Sequence, residues 1–346
     1  METNGINLEN LLVSICIPSY NRPKEIRRLL DSIDAKKYAY RLEIVICEDN
    51  APKRTEVRQE VEEFSKKTNY NVNYIENDIN KGYDKNLREL INNAQGNFIL
   101  FMGDDDLFVP NALDNYLNFI EDHSNCGYIL RSYTNKYSDG TSENFRYYSR
   151  EQIFEPSEQT YINLFDKSVF ISGFTIRREY AKQFETDRFD GSLLYQLYLL
   201  AEVCRIHPSA NCNILIAQAI EGGVPYFGNS ESEKKLYTPG TITVQNSINF
   251  MMWYMTIIDY MSEKYQTNSA DKIRLNMSKY IYPTLAIQRE KGRRVFRDYA
   301  RQLKKIGLAK SRLFYVYYWG LWCFGKKTCD CIIKKLKAII GRRPNL

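Results

Sequence analysis

Apolar and polar positions alternate in two different ways along this chain. Short, mostly apolar and β-branched runs lie at Leu12-Val13-Ser14-Ile15-Cys16-Ile17, Glu43-Ile44-Val45-Ile46-Cys47, Val72 to Ile75 and Phe98-Ile99-Leu100-Phe101-Met102. Runs of this kind predict strands covered on both faces. Between them apolar residues recur at helical spacing. Ile26, Leu29, Leu30 and Ile33 form one stripe, Val57, Val61 and Phe64 another, and Leu87, Leu90, Ile91 and Ala94 a third. Gly96 reads as the residue that stops the third helix. Pro110 reads as the start of a fourth, with Leu113, Tyr116, Leu117 and Ile120 on one face. Strand and helix alternate four times, which predicts an α/β fold with a mostly parallel sheet and flanking helices.

The pattern weakens beyond Gly127. Tyr128-Ile129-Leu130 predicts a strand, residues 133–159 a loop or short hairpin, and Val169 to Ile176 another strand. A helical stretch runs through Leu200 and Glu202, and residues 241–265 and 271–288 read as helices. Leu313 to Phe324 is almost wholly apolar and aromatic, with Trp319 and Trp322, yet shorter than the roughly 20 residues that span a bilayer. Cys329, Ile332, Ile333, Leu336 and Ile340 then make an apolar stripe among Lys334, Lys335 and Lys337.

Charge changes the picture of that last stretch. Residues 288–346 hold 17 lysines and arginines against three acids, a net of +14. The whole chain of 346 residues is +6, which leaves −8 on residues 1–287. A basic tail on an acidic body points the tail at something anionic. An interfacial anchor on an anionic membrane leaflet is one reading of it; a helical subdomain that leaves its lysines in water is the other. The first ten residues lack the basic-then-apolar pattern of a secretory signal, and no run is long enough to predict a membrane-spanning helix. Eight scattered cysteines without a CxxC pair read as reduced core thiols of a cytoplasmic protein. With only His123 and His207 present, a zinc site and a histidine triad are disfavoured.

The candidate chemistry sits at strand ends. The first strand ends in Pro18-Ser19-Tyr20-Asn21-Arg22, the second in Glu48-Asp49-Asn50 and the fourth in Gly103-Asp104-Asp105-Asp106. In a parallel sheet these ends share one edge, where ligands bind. An aromatic ring to stack on a base, an acid for its N–H and an acid cluster for a phosphate-bearing cation together describe a nucleoside-diphosphate pocket. Hard carboxylate oxygens suit Mg²⁺ or Mn²⁺. An acidic surface turn is the plainer reading of the same three acids.

These motifs, with Asn80-Lys81-Gly82 and Ala94-Gln95-Gly96, resemble glycosyltransferase family 2 of the GT-A fold. The Gly-Asp-Asp-Asp variant is most similar to the abequosyltransferase-like branch of bacterial O-antigen and capsule enzymes. The resemblance covers residues 11–125, and more weakly continues to about residue 220. It implies a catalytic domain over residues 1–235, with a nucleotide-sugar half (11–125) and an acceptor half (126–235). A helical region (236–346) with a membrane-associating tail (311–346) would follow.

By the same resemblance, Pro18, Tyr20 and Arg22 line the nucleotide pocket and Asp49 accepts a hydrogen bond from the base. Lys81 either approaches the diphosphate or is solvated. Asp104 and Asp106 have the D-x-D spacing, one toward ribose and one toward Mn²⁺ or Mg²⁺. Gly103 stands where relatives commonly keep an acid, so Asp105 stays a candidate. Inverting transfer needs a base for the acceptor hydroxyl, and Asp190 is preferred, then Glu202, with Asp187 also available. The implied partners are a nucleotide-sugar donor, a glycan acceptor carried on a lipid diphosphate, and the cytoplasmic face of the membrane. A sugar-phosphate nucleotidyltransferase is the alternative enzyme, but its Gly-rich basic loop is missing after the first strand. A non-catalytic nucleotide-sugar-binding protein would be expected to have lost the acids. Lysines interleaved with isoleucines fit a lipid surface better than nucleic acid.

Overall fold

A computed structural model describes residues 11–340, and the chain divides into one unit ending at Lys235 and a second beginning at Leu236. The first unit runs β1 (Val13–Ser19), α1 (Pro23–Asp31), β2 (Leu42–Glu48), α2 (Arg54–Ser65), β3 (Asn71–Glu76), α3 (Tyr83–Asn93) and β4 (Phe98–Phe101). It continues with β5 (Leu107–Phe108), α4 (Leu113–Asp122), β6 (Tyr128–Lys136), β7 (Ser142–Phe145), β8 (Gln152–Phe154) and α5 (Glu158–Phe165). It closes with β9 (Phe174–Arg177), α6 (Arg178–Gln183), α7 (Tyr195–Ile206) and β10 (Ser209–Ile220).

The apolar runs share one sheet in the order β3-β2-β1-β4-β9-β6-β10-β5, with β7 on β6 and β8 on β10. The first four strands are parallel neighbours. Every residue of β2 and β4 is buried, as helices on both faces require. The sheet turns mixed at β9, which runs antiparallel to both β4 and β6. Parallel connection brings the carboxyl ends of β1, β2 and β4 to one edge.

Four local readings change. Gly96 is not a helix-stopping left-handed residue. α3 ends at Asn93 and Ala94 is already extended, while a Cβ at Gly96 would lie 2.6 Å from the Ser14 nitrogen. Pro110 and Asn111 (φ 60°) form a turn, and α4 starts only at Leu113. Val169 to Ile176 is not one strand, because Ile171–Gly173 is a 3₁₀ turn whose Ser172 is drawn to the β4 end. β10, at 12 residues, escaped the apolar pattern: Asn211, Asn213 and Gln218 interrupt it, and two register shifts against β6 break its alternation.

The second unit is helical: α8 (Val244–Lys264), α9 (Ser269–Lys279), α10 (Tyr282–Glu290), α11 (Arg293–Lys305) and α12 (Arg312–Ile340). α12 is interrupted at Gly325, whose φ of 74° ends the first segment in the left-handed region. No helix among the described residues is long and apolar enough to cross a membrane. In the expected stripe of the second segment, Cys329 is buried and Ile332 exposed, whereas the Leu336 and Ile340 side chains lie outside the described residues.

Candidate active site

Two asparagines shape the edge. Asn21 (φ 62°) follows β1 and Asn50 (φ 53°) follows β2, left-handed positions that asparagine tolerates better than most residues. The Asn21 side-chain oxygen accepts the Lys53 N–H at 3.2 Å, which ties the two turns together. Pro18, half-buried in β1, lies opposite Cys47 of β2.

The β1 and β4 ends are joined through the acid cluster. The Tyr20 N–H donates to Asp104 at 3.0 Å, and the Arg22 guanidinium reaches Asp104 at 2.6 Å and Asp105 at 3.0 Å. Asp106 differs. No cation lies within salt-bridge distance of it among the described residues, and the Ser172 hydroxyl donates to it. Ser172 in turn accepts the Gly103 N–H at 2.8 Å, so one hydroxyl fixes the turn that aims the acids. Burial pushes the Asp106 carboxyl up to about 7, with the neighbouring Asp105 charge adding to it. Burial likewise raises Asp104 to about 6, and Arg22 pulls against that rise.

Gly103 has an electrostatic reason. A Cβ there would stand 3.0 Å from an Asp106 oxygen and 3.3 Å from an Asp105 oxygen. A fourth acid in that position would crowd two carboxylates that have one guanidinium, that of Arg22, near them. Beneath the turn, Arg131 is fully buried, donates to the Phe101 carbonyl at 2.6 Å and lies 5.9 Å from the Tyr116 ring centroid. Burial drives its guanidinium down to about 10. Arg131 was not legible from sequence, since its strand reads as plain core.

Asp49, at the β2 end, is as buried as Asp104 and Asp106 but fully provided for. It accepts from the Asn77 side chain, the Lys81 N–H and the Gly82 N–H, each at 2.8 Å. Burial raises its carboxyl and these donors oppose the rise. The Lys81 ammonium does not point along this line; it pairs with Glu89 at 2.7 Å. Gly82 has φ 85°, and a Cβ there would sit 2.4 Å from the Ser230 hydroxyl oxygen. Only glycine fits.

Ser230 belongs to a strap, residues 221–235, that sequence reasoning passed over. Val224 offers its carbonyl to Arg22 at 2.8 Å, and Tyr226 lies 5.1 Å from the Arg22 guanidinium and 5.8 Å from the Tyr20 ring. Glu233, buried, accepts from the Tyr83 and Gly228 N–H groups, both at 2.8 Å. The strap thereby closes over Tyr20, Arg22 and the Gly82 turn. Its Gly-Gly-Val-Pro-Tyr run carried the only sequence signal, that of an irregular segment.

The two residues expected to act as base are placed otherwise. Asp190 holds a two-point ion pair with Arg88 of α3, 3.1 Å at its second contact, and lies 3.6 Å from Lys85. A carboxylate so engaged anchors a loop to a helix, with both oxygens turned to Arg88. Glu202 is 0% exposed within α7 and has no atom to offer an acceptor sugar. Asp187 is exposed.

The family model for glycosyl transferase family 2 matches residues 14–184. The chain belongs to glycosyltransferase family 2. An uncharacterised glycosyltransferase of Haemophilus influenzae is 29% identical over 147 residues, 42% of this chain and 46% of that protein. The abequosyltransferase RfbV of Salmonella typhimurium is 28% identical over 103 residues, 30% of this chain and 31% of that protein. The glucosyltransferase WfgD of Escherichia coli is 31% identical over 107 residues, 31% of this chain and 40% of that protein. The chain thus spans less than half the length of the curated relatives it matches.

Among solved structures, residues 1–349 of S. aureus TarS in complex with UDP-GlcNAc superpose with a TM-score of 0.51 at 16% identity, over 94% of this chain and 92% of that one. That likeness places the fold with the GT-A glycosyltransferases. The family match includes the acid cluster and Ser172 but stops before the strap.

Family membership implies a divalent cation, and the residues present fit one. No ready cage of three or more His, Cys, Asp or Glu ligands exists among the described residues. Mg²⁺-type sites commonly use one or two carboxylates and complete their shell with substrate phosphates and water. Of the three adjacent acids, Asp104 and Asp105 share the Arg22 guanidinium, and Asp106 has no cation partner among the described residues. A hard cation fits this donor set.

Proposed function

We propose that this family 2 chain is an inverting, metal-dependent glycosyltransferase that moves a sugar from a nucleotide-diphosphate sugar to a glycan acceptor in bacterial surface-polysaccharide synthesis. The observation that carries the reading is the meeting, on one sheet edge, of an aromatic ring, a saturated acid and an acid cluster whose Asp106 has no cation partner among the described residues. Tyr20, with Tyr226 beside it, offers the base an aromatic face; Asp49 holds the Lys81-Gly82 turn beneath. Asp106, with Asp104 as its D-x-D partner, would hold Mn²⁺ or Mg²⁺, which when bound offsets charge on the departing diphosphate. Arg22 balances Asp104 and Asp105 and ties them to the strap, so its guanidinium stands next to the diphosphate position. These interactions serve catalysis to the degree that they strengthen as the leaving group gains charge.

The acceptor is a glycan on a lipid diphosphate, and the enzyme works peripherally at the cytoplasmic membrane face. Support comes from WfgD, whose name describes transfer from UDP-Glc to α-D-GlcNAc-diphosphoundecaprenol, and from the net +14 of residues 288–346. The test is a thermal-shift screen with UDP-, GDP-, CDP- and dTDP-sugars, with and without Mn²⁺. One donor class should raise Tm only when Mn²⁺ is present. If no nucleoside diphosphate binds under any condition, the reading is lost.

A further inference from the structure

The second unit presents a surface that the family match does not reach. In the first segment of α12, Phe314 and Leu321 are buried, while Leu313, Tyr315, Val316, Trp319 and Phe324 are exposed, Trp319 by 58% and Phe324 by 65%. At 100° per residue these exposed positions occupy one continuous half of the helix. A soluble helix normally turns such a face inward. Here the inward half is already filled: Phe296 of α11 stacks on Tyr318 at 5.1 Å and lies 6.5 Å from Trp322.

α11 supplies the second part. Its buried side is Phe296, Tyr299, Ala300 and Leu303. Its outer arc holds Arg293, Arg294, Arg297, Arg301, Lys304 and Lys305, all exposed. Asp298 is the one acid on the helix, pairing with Arg301 at 3.3 Å. The two faces meet where the Arg293 guanidinium lies 5.6 Å from the Trp322 ring. A basic stripe therefore borders an exposed aromatic face.

We propose that the outer faces of α11 and the first α12 segment form one docking surface for an anionic lipid bilayer. Aromatic and aliphatic side chains enter the headgroup boundary, and the arginines and lysines beside them meet lipid phosphates. This deepens the membrane reading above and extends it: the contact is made by α11, which precedes the expected tail, and by the tail's tryptophan-bearing segment before Gly325. A nucleic-acid backbone would use the basic stripe but gives the exposed Val316, Trp319 and Phe324 no role.

The experiment is co-sedimentation of the full chain with phosphatidylcholine vesicles, with vesicles containing phosphatidylglycerol, and with a structured RNA as competitor. The wild-type protein should bind only the anionic vesicles, more weakly at high salt. The triple variant Arg294→Gln, Arg297→Gln, Arg301→Gln should lose affinity on the order of a hundredfold, from about 1 kcal/mol per surface charge. Trp319→Phe should keep much of the binding but lose most of the vesicle-induced blue shift in tryptophan emission. All these positions are exposed, and an unchanged Tm checks that the variants fold. Equal binding to neutral vesicles, unaltered binding by the triple variant, or preference for RNA over vesicles would each overturn the proposal. Donor-induced Tm shifts are measured on the same variants without lipid. Loss of vesicle binding with intact donor binding is the expected pattern. Failure of donor binding in the wild-type chain counts against the proposed function alone.

Discussion

The ends of β2 and β4 bury similar acids in opposite circumstances. Asp49 is surrounded by three donors at 2.8 Å, all from the protein. Asp106 has one hydroxyl, no ion-pair partner among the described residues and a carboxyl raised to about 7. A buried carboxylate costs free energy unless it is paired or hydrogen-bonded. The β2 end meets that cost internally and so organises a turn. The β4 end leaves it unmet by the protein's own groups, and we propose that a bound cation supplies the missing charge there.

The sharpest test is Asp106→Asn. Turnover should fall at least about 10³-fold, the scale of removing one strong electrostatic contact in a transition state. Mn²⁺ binding by calorimetry should vanish while Tm holds or rises, because an unpaired buried charge is gone. Near-normal turnover would place the metal elsewhere and dissolve the contrast. Asp49→Ala comes next and should behave the other way. Three donors lose their acceptor, at about 1 kcal/mol each, so unfolding in urea should show roughly 3 kcal/mol of lost stability. If donor affinity disappears while stability stays intact, Asp49 belongs to the ligand as well as to the turn.

The pH response separates the two ends further. The folded Asp106 carboxyl sits near 7 against an ordinary value of 3.8. Between those values the native state keeps a proton that the unfolded state releases, so stability falls as pH rises through the window. The contribution is fully present below 3.8 and lost above about 7. Without metal, Tm should therefore decline from acid toward neutral pH, and Asp106→Asn should flatten that decline. Mn²⁺ affinity should run oppositely, weakening by about tenfold per unit below the folded value because proton and metal compete for one carboxylate. A metal affinity flat from acid to neutral pH would contradict the assignment.

Legibility followed local chemistry. The four parallel strands and the three acidic or aromatic strand ends were visible because each is a contiguous run with a physical signature. The contacts that finish the site were not, since they join distant residues: Ser172 to Gly103, Val224 to Arg22, Glu233 to Tyr83. β10 was hidden by asparagines and register shifts, and Arg131 by an otherwise plain strand. The α11 surface was hidden for another reason. Basic residues at helical spacing look like solvent exposure until the neighbouring aromatic face is seen to lack cover.

The smallest expected effect concerns Asp190, the residue that sequence reasoning favoured as base. Its position before Gly191-Ser192 suggested a carboxylate facing a ligand; instead it grips Arg88 with both oxygens. Asp190→Asn keeps the shape and removes the charge of a half-buried ion pair. Stability should drop by about 1 kcal/mol, and kcat should stay within about twofold, far from the 10²–10⁴-fold loss that removing a general base entails. The pH profile of kcat/KM should keep its acidic limb. Arg88→Met supplies the matching arm, since an architectural pair loses similar stability from either side, whereas a catalytic Asp190 would respond asymmetrically. A hundredfold fall in kcat for Asp190→Asn alone, with the acidic limb gone, would restore it as the base and mean that Arg88 releases it when substrate binds.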